Sequence, residues 1–298
     1  MSQPPGQSRY TCPYCRIPSD GSGGTCPHCG APVDVRERVS DSGWAEQPPI
    51  RDMARIRFSR STCQIIGKYV PVAEMSLHED DWVYFSHHSL LHTDPQVRLE
   101  TMRMAGGWNR MLAGMPLIMM TARGPGHIAF SADKPGETLA VPLQHNQAVD
   151  VVEHRFLVAT GNVTYQWENS GIWFSTQKGD DQEYHYPLGQ TMDRFWAKGG
   201  PGLLLLHAPG NTFVRDLAPG ERILIQPSGL IWKDPTVRMT LHFEYPHGAY
   251  WFSSARMQAK SAWLSLHGPG RVAIQSVFER PEMTGQVVRC SSATTQVW

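Results

Sequence analysis

Hydrophobic and polar residues alternate along much of the chain after about residue 55. The alternation is clearest in six segments, which are Asp81–Ser86, Val97–Met102, Thr138–Leu143, Val163–Trp167, Tyr184–Leu188 and Val237–Phe243. A period of two residues is typical of half-buried antiparallel strands. Two other segments, Pro116–Met120 and Leu203–Leu206, are continuously apolar and predict strands buried on both faces. Because few windows show the spacing of an amphipathic helix, the pattern predicts an all-β fold.

A short apolar segment followed by a Pro-Gly turn occurs three times. The copies are Leu117–Gly126, Leu203–Gly210 and Trp263–Gly270. Proline fixes φ and glycine permits positive φ, so each pair marks a tight turn between two strands. The spacing between copies is uneven and does not fit a solenoid with a short repeat. The three copies predict three related β-units in a pseudo-threefold arrangement.

The chain also divides by composition. Residues 1–30 contain four of the six cysteines and no lysine, and the polar stretch that follows is interrupted by Pro32, Pro48 and Pro49. Hydrophobic patterning begins only after this stretch. The sequence therefore predicts a small module at 1–30, a linker at 31–54 and a β-domain at 55–298.

Two Cys-x-x-Cys motifs lie in the first module, Cys12–Cys15 and Cys26–Cys29, separated by ten residues. Two such knuckles allow four thiolates to converge tetrahedrally on one Zn²⁺, with no open position for a substrate. Metal binding would also supply the folding free energy that so short a segment lacks. We predict a structural zinc ribbon with Cys12, Cys15, Cys26 and Cys29 as ligands and His28 exposed. A redox dithiol or an iron site is the alternative.

The charge balance bears on possible partners. Basic and acidic residues number 27 each, so the formal net charge is zero. Proteins that bind polyanions usually carry a basic excess, and the cysteine module contains only Arg9 and Arg16 as basic residues. The ten tryptophans could stack on bases, but core packing explains them better. A nucleic-acid-binding protein is therefore kept only as an alternative.

The thirteen histidines raise the hypothesis of a metal-dependent enzyme with a cupin-like β-fold. Such a site needs two histidines on one strand face, and no His-x-His occurs in the chain. His87 and His88 are adjacent and would point to opposite faces of a strand. His207 and His267 precede turns, where we expect them to make hydrogen bonds. Hydrolase and phosphate-loop motifs are also lacking, so we predict no enzymatic activity and no catalytic residues.

The remaining cysteines, Cys63 and Cys290, lie near the two ends of the predicted β-domain. A disulfide between them is conceivable, but two small apolar side chains in strands are the preferred interpretation. Residues Met1–Tyr10 are polar and no apolar run approaches the length of a membrane span. These features predict a cytoplasmic protein.

Three glycine-rich blocks carry a resemblance to a known family. They are Gly106–Gly126, Gly199–Gly210 and His267–Ser276. In this order they resemble the altered inheritance of mitochondria protein 24 family over roughly residues 55–278. Pro201 stands where the family usually has an acidic residue.

The resemblance implies a fold similar to that of the tryptophan RNA-binding attenuation protein, with three related double-stranded β-helix units. Fungal members of the family are mitochondrial and linked to inner-membrane organisation. Bacterial members are cytoplasmic and have no established activity, and no catalytic residues are assigned to the family. Taken with the motifs above, this predicts a scaffold or adaptor that contacts a protein partner, with peripheral association at a membrane complex. The sequence predicts no particular partner and no oligomeric state.

Overall fold

A computed structural model of the chain describes residues 10–12, 14–19, 25–31, 42–46, 55–67, 69–102, 119–245, 259–280, 283 and 285–291. Over these residues the regular structure is β, apart from two single 3-10 turns at His87–Ser89 and Pro227–Gly229. No α-helix occurs in them, and none of their helices is long and apolar enough to cross a membrane. The prediction of an all-β fold is confirmed.

The strands are numbered in chain order. They are β1 (Tyr10–Thr11), β2 (Pro18–Ser19), β3 (Ala45–Glu46), β4 (Arg55–Phe58), β5 (Ser61–Ile66), β6 (Val72–Leu77), β7 (Trp82–Ser86), β8 (Leu90–Thr93), β9 (Arg98–Thr101), β10 (Met119–Arg123), β11 (Gly126–Phe130), β12 (Glu137–Leu143), β13 (Ala148–Val152), β14 (Phe156–Thr160), β15 (Val163–Asn169), β16 (Phe174–Lys178), β17 (Asp181–His185), β18 (Thr191–Ala197), β19 (Gly202–Ala208), β20 (Thr212–Leu217), β21 (Arg222–Ile225), β22 (Leu230–Lys233), β23 (Arg238–Glu244), β24 (Ser261–His267), β25 (Gly270–Gln275) and β26 (Gln286–Cys290).

The described residues fall into two compact units. The first lies within residues 1–147, 155–164 and 196–211, and the second within 148–154, 165–195 and 212–298. The cysteine module belongs to the first unit together with the strands that follow it. The predicted boundaries at residues 30 and 54 stay a prediction.

The first unit contains a six-stranded sheet with the order β12–β19–β14–β7–β10–β9 and a five-stranded sheet with the order β4–β5–β6–β11–β8. Alternate residues of β5 and β6 are buried, as expected for strands with one face on a core. All seven residues of β19 are buried, and the strand has neighbours on both sides. The prediction that Leu203–Leu206 forms a doubly covered strand is confirmed.

In the second unit, hydrogen bonds join strands in the order β15–β18–β13–β22–β25–β20. Two three-stranded sheets complete it, with the orders β17–β16–β26 and β21–β24–β23. Its core includes the ring of Phe174 on β16, which meets Phe243 on β23 edge to face at 5.4 Å. Such aromatic pairs stabilise a core beyond the area that they bury.

Three stretches of the chain share one topology. In each, the first, sixth and third strands are neighbours in one sheet, and the second, fifth and fourth strands are neighbours in another. The stretches consist of β6–β11, of β12–β19 with β16 and β17 inserted, and of β20–β25. The chain therefore contains three arrangements of six strands built in the same way. We call them the first, second and third six-stranded units, to distinguish them from the two compact units above.

A Gly-Pro-Gly turn leads into the sixth strand of each six-stranded unit, at Gly124–Gly126, Gly200–Gly202 and Gly268–Gly270. The residue after each turn donates its backbone N–H to a side-chain oxygen at the same place in its six-stranded unit. The pairs are His127 with Asp94 Oδ2 (2.8 Å), Leu203 with Thr160 Oγ1 (3.0 Å) and Arg271 with Asp234 Oδ2 (2.9 Å). The residue after each Gly-Pro-Gly turn is thus held by a hydrogen bond of the same kind.

This register corrects the one expected from the sequence. The segment Leu203–Leu206 follows its turn, whereas the first and third predicted copies precede theirs. The structural counterpart of the Gly124–Gly126 turn is therefore Gly200–Gly202 rather than Pro209–Gly210. The sequence pattern misled because strands flank each Gly-Pro-Gly turn on both sides, and the apolar segment Leu203–Leu206 also precedes a Pro-Gly pair, Pro209–Gly210. How the three units are arranged around an axis stays a prediction.

Candidate metal centre

The two Cys-x-x-Cys motifs fold as two similar knuckles. The carbonyl of Cys12 accepts the N–H of Arg16, and that of Cys26 accepts the N–H of Gly30, both at 2.8 Å. Arg16 and Gly30 both have positive φ, of 61° and 74°. In each knuckle the chain therefore reverses direction directly after the second cysteine. Glycine adopts positive φ without strain in the second knuckle, whereas a residue with a side chain, Arg16, adopts it in the first.

The four sulfur atoms converge. Cys12 Sγ lies 3.8 Å from Cys29 Sγ, Cys15 Sγ lies 3.6 Å from Cys26 Sγ, and all four lie within 4.8 Å of one another. A tetrahedron with Zn–S bonds of about 2.3 Å has edges of about 3.8 Å. All four side chains are buried. The predicted ligand set is thus brought together in a cage that could bind one metal ion.

Contacts among the sulfurs and the backbone prepare them for ligation. Contact with the Cys29 thiol, together with the N–H groups of Cys15 and Tyr14, lowers the pKa of Cys12 to about 5. The same contact with Cys12 raises the pKa of Cys29, and burial raises that of Cys15. Cys12 is therefore a thiolate at neutral pH, and Cys15 and Cys29 would release their protons on binding a metal.

The module is attached to the strand that follows it. The N–H of Arg55, the first residue of β4, donates to the carbonyl of Cys29 at 3.2 Å. The four cysteines and Ala31 belong to the same cluster of buried side chains as Ile56 and Phe58. The metal centre thus rests on the first unit. His28 is exposed, as expected.

The other histidines that the structure describes do not form a second buried metal centre. Over the part of the chain that the structure describes, the only further group of three metal-type ligands is His78, Glu79 and Asp80. Glu79 and Asp80 are exposed, and Asp80 already pairs with Arg60 at 3.1 Å. His87 and His88 lie in a 3-10 turn and not on a strand, which corrects the expectation for that pair.

His207 and His267 lie near the ends of β19 and β24. Burial lowers the pKa of both rings, so both are neutral at pH 7. His207 hydrogen-bonds to the backbone of Lys134, and His267 Nε2 lies 3.1 Å from the hydroxyls of Thr240 and Ser265. Both rings are held by hydrogen bonds within their own unit.

The two isolated cysteines are free thiols in strands. Cys63 on β5 is fully buried, and burial raises its pKa to about 12. Cys290 on β26 is half-buried, and burial raises its pKa as well. Both thus resist ionisation at neutral pH.

Two charged arrangements in the second unit were missed by the sequence reasoning. Asp150 is held between Arg194 and Lys233, and Arg222, His267 and Arg238 lie in one row across three strands. Each set joins residues far apart in the sequence. Only strand register brings them together, and no local motif marks them.

The fold and the centre define an all-β protein with three six-stranded units and an N-terminal four-cysteine site. The chain matches the model of the family described as Mitochondrial biogenesis AIM24 over residues 63–277. It therefore belongs to this family, which confirms the resemblance found in the glycine-rich blocks. The cysteine module precedes the matched region.

The fold is also similar to a solved structure. A crystal structure of a Streptococcus pyogenes protein from a structural-genomics consortium matches with a TM-score of 0.52 and 19% sequence identity. The match covers 74% of this chain and 94% of that one, and at this identity it concerns the fold alone. No curated protein matches the chain.

Proposed function

We propose that this protein is a non-enzymatic scaffold or adaptor that acts through protein–protein contacts and carries one structural zinc ion. The observation that supports this most directly is the closed cysteine site. Four buried cysteines fill all the positions of a tetrahedral metal, so no position remains for a substrate. The family description names a cellular process and no reaction.

Zinc is the metal that suits this site. Four thiolates in a tetrahedron bind zinc or iron, and zinc is the ion that serves as an inert structural element. The hydrogen bond between Arg55 of β4 and Cys29 gives the ion a structural role. An ion bound by Cys29 would fix the path of the chain into the five-stranded sheet.

A protein partner has an exposed apolar loop to contact. Tyr69 is 78% exposed and its neighbour Val70 is 39% exposed, in the connection between β5 and β6. Tyrosine is enriched at protein interfaces, where it combines an apolar ring with a polar tip. This loop lies in the same unit as the cysteine module, so a partner would meet a loop held by metal-stabilised structure.

The proposed setting is the cytoplasm, at the periphery of a membrane-associated complex. A reducing compartment suits six cysteines that form no disulfide among the described residues. Balanced charge argues against binding to nucleic acid, because phosphate contacts need a basic surface.

Elemental analysis tests the zinc site and, in the same experiment, the alternative of a metal-dependent enzyme with a second metal site. The purified full chain should hold one zinc per molecule, and the double variant Cys12→Ser/Cys15→Ser should hold none. The variant Cys290→Ser is the control and should keep the ion. A metal retained by the double variant would reveal a second site and favour the cupin-like enzyme instead.

Photo-crosslinking in cells tests the adaptor role. A crosslinking amino acid at Tyr69 should give one discrete protein adduct, and Val70→Ser should weaken it. The same amino acid at the exposed Gln96, in the same unit, is the control and should give none. Equal adducts at both positions would contradict a docking loop. Salt-sensitive binding of the chain to RNA or DNA would favour the nucleic-acid alternative.

A further inference from the structure

Three basic side chains lie side by side on the sheet β21–β24–β23 of the second unit. His267 on the central strand is directly opposite Arg222 on one neighbour and Arg238 on the other. Directly opposite side chains in antiparallel strands have Cβ atoms about 5 Å apart, so two guanidiniums flank the neutral imidazole of His267. Two cations on either side of a hydrogen-bonding ring suit the binding of an anion.

The next row on the same face offers hydroxyl groups. Ser265 on β24 is opposite Thr240 on β23, and both hydroxyls lie 3.1 Å from His267 Nε2. Arg222 Nε donates to Ser265 Oγ at 2.6 Å, which holds this guanidinium over the sheet. The imidazole and one guanidinium are thus fixed in place before any ligand arrives.

The first six-stranded unit carries a different row at the same place. This row is Trp82–Arg123–Arg98, in which the Arg123 guanidinium lies 5.3 Å from the Trp82 ring. Glu100 stands there in the place of Thr240. Both rows contain two arginines, but only the first has a carboxylate beside them, and the third six-stranded unit has a hydroxyl instead.

Two residues of the row, Arg238 and His267, open into a cleft. A cleft of about 560 Å³ is lined by Arg238, Thr240, His267, Lys233 and the apolar side chains of Ile172 and Met239, among others. Its described lining contains no acidic residue. The ammonium of Lys233 donates one hydrogen to Asp150 and one to the carbonyl of Asp234. Its third hydrogen remains for a ligand in the cleft. The volume suits a small organic molecule.

We propose that this cleft binds a phosphate monoester, with Arg238 and His267 contacting the phosphate and Thr240 donating its hydroxyl. A phosphate matches this lining better than a carboxylate, because its three free oxygens can each accept from one of the three groups, Arg238, His267 and Thr240. The apolar lining accommodates the organic group. This site does not depend on the proposed adaptor function, and the phosphate could belong to a soluble ester or to a lipid headgroup.

Calorimetric titration of the full chain with phenyl phosphate and inorganic phosphate tests the site, and flotation with phosphatidic acid vesicles forms a separate arm. We expect saturable binding in at least one arm. Arg238→Gln should weaken it about tenfold, because a charge-assisted contact is lost. Thr240→Glu places at this position the acid that the first six-stranded unit has as Glu100, and it should abolish binding.

Arg289→Gln is the matched control, since Arg289 is an exposed arginine of the same unit outside the cleft. It should bind like the unaltered chain. Binding of phenyl phosphate indicates a soluble ester, and binding of vesicles alone indicates a lipid headgroup. The proposal is overturned if neither arm shows saturation, or if Arg238→Gln and Arg289→Gln weaken binding equally. Circular dichroism of each variant establishes that the fold is kept.

Discussion

The ammonium of Lys233 donates a hydrogen bond of 2.8 Å to Asp150 Oδ2 on the neighbouring strand, although both side chains are buried. The guanidinium of Arg194 binds both carboxylate oxygens of Asp150, at 2.6 and 3.1 Å, and also reaches Glu168 at 2.9 Å. The four charges balance. Removal of the central carboxylate would leave the buried ammonium of Lys233 without a carboxylate partner.

Asp150→Asn should therefore lower the free energy of unfolding by about 3–5 kcal/mol, the usual cost of breaking a buried ion pair from one side. Urea unfolding followed by circular dichroism measures it. Asp180→Asn removes an exposed carboxylate from the same unit and should change stability by less than about 0.5 kcal/mol. Equal effects of the two substitutions would contradict the structural role of the cluster.

The same carboxylate predicts a pH dependence. Burial alone would raise the pKa of Asp150, but the hydrogen bonds and charges of Arg194 and Lys233 outweigh it and lower the pKa. A lowered pKa stabilises the fold above the unfolded value of about 3.9, and the stabilisation is lost as the pH falls through the folded pKa. Melting temperatures of the unaltered chain and of Asp150→Asn should thus differ most near pH 7 and converge below about pH 4. Parallel curves would show that another group controls acid unfolding.

The repeated turn predicts which substitution is tolerated at Asp94. Its carboxylate accepts the backbone N–H of His127. In the second six-stranded unit the hydroxyl of Thr160 accepts the corresponding N–H of Leu203. Asp94→Ala removes the acceptor and should cost about 1 kcal/mol. Asp94→Thr supplies the acceptor used elsewhere in this chain and should cost less. Thermal unfolding of both variants ranks them, and the reverse order would mean that the negative charge matters more than the hydrogen bond.

A glycine in the third Gly-Pro-Gly turn has no room for a side chain. A Cβ at Gly268 would lie 2.3 Å from the carbonyl oxygen of Ala218, which is backbone and cannot move away alone. Gly268→Ala should destabilise the protein by about 1–3 kcal/mol through overpacking. At Gly229 in the same unit a Cβ would meet nothing closer than 3.7 Å. Gly229→Ala is therefore the control, and its melting temperature should remain near that of the unaltered chain.

Loss of the metal should act locally first. In Cys12→Ser/Cys15→Ser the amide resonances of residues 10–31 should lose dispersion, because the metal supplies the folding free energy of this module. Signals from Phe58 and Cys63 should shift but remain dispersed, since β4 and β5 pair with each other and β5 with β6. His28→Ala, at an exposed position between two ligands, should retain the metal. Collapse of the β-sheet signals would instead show that the module and the sheets fold as one.

The cysteine site was predictable because its ligands lie close together in the sequence, and the spacing alone specifies two knuckles. Several strands were also predictable from alternation, such as Val163–Trp167 within β15 and Val237–Phe243, which overlaps most of β23. The alternation does not specify partners. Arg222, Arg238 and His267 become neighbours only through the register of three strands, and that register is set by packing between distant segments. The turn register was wrong for a related reason, since strands flank each turn on both sides and the apolar segment Leu203–Leu206 also precedes the pair Pro209–Gly210.

The position of β19 has a consequence for protein synthesis. This strand, which ends at Ala208, lies between β12 and β14 in the six-stranded sheet of the first unit. Seven buried residues are therefore missing from the middle of that sheet until about two thirds of the chain has been made. At translation rates of ~5–20 residues per second, β12, which ends at Leu143, waits roughly 3–13 s for the end of β19. During that time the facing edges of β12 and β14 are unpaired, so the nascent chain needs protection from association with other chains before the first unit closes.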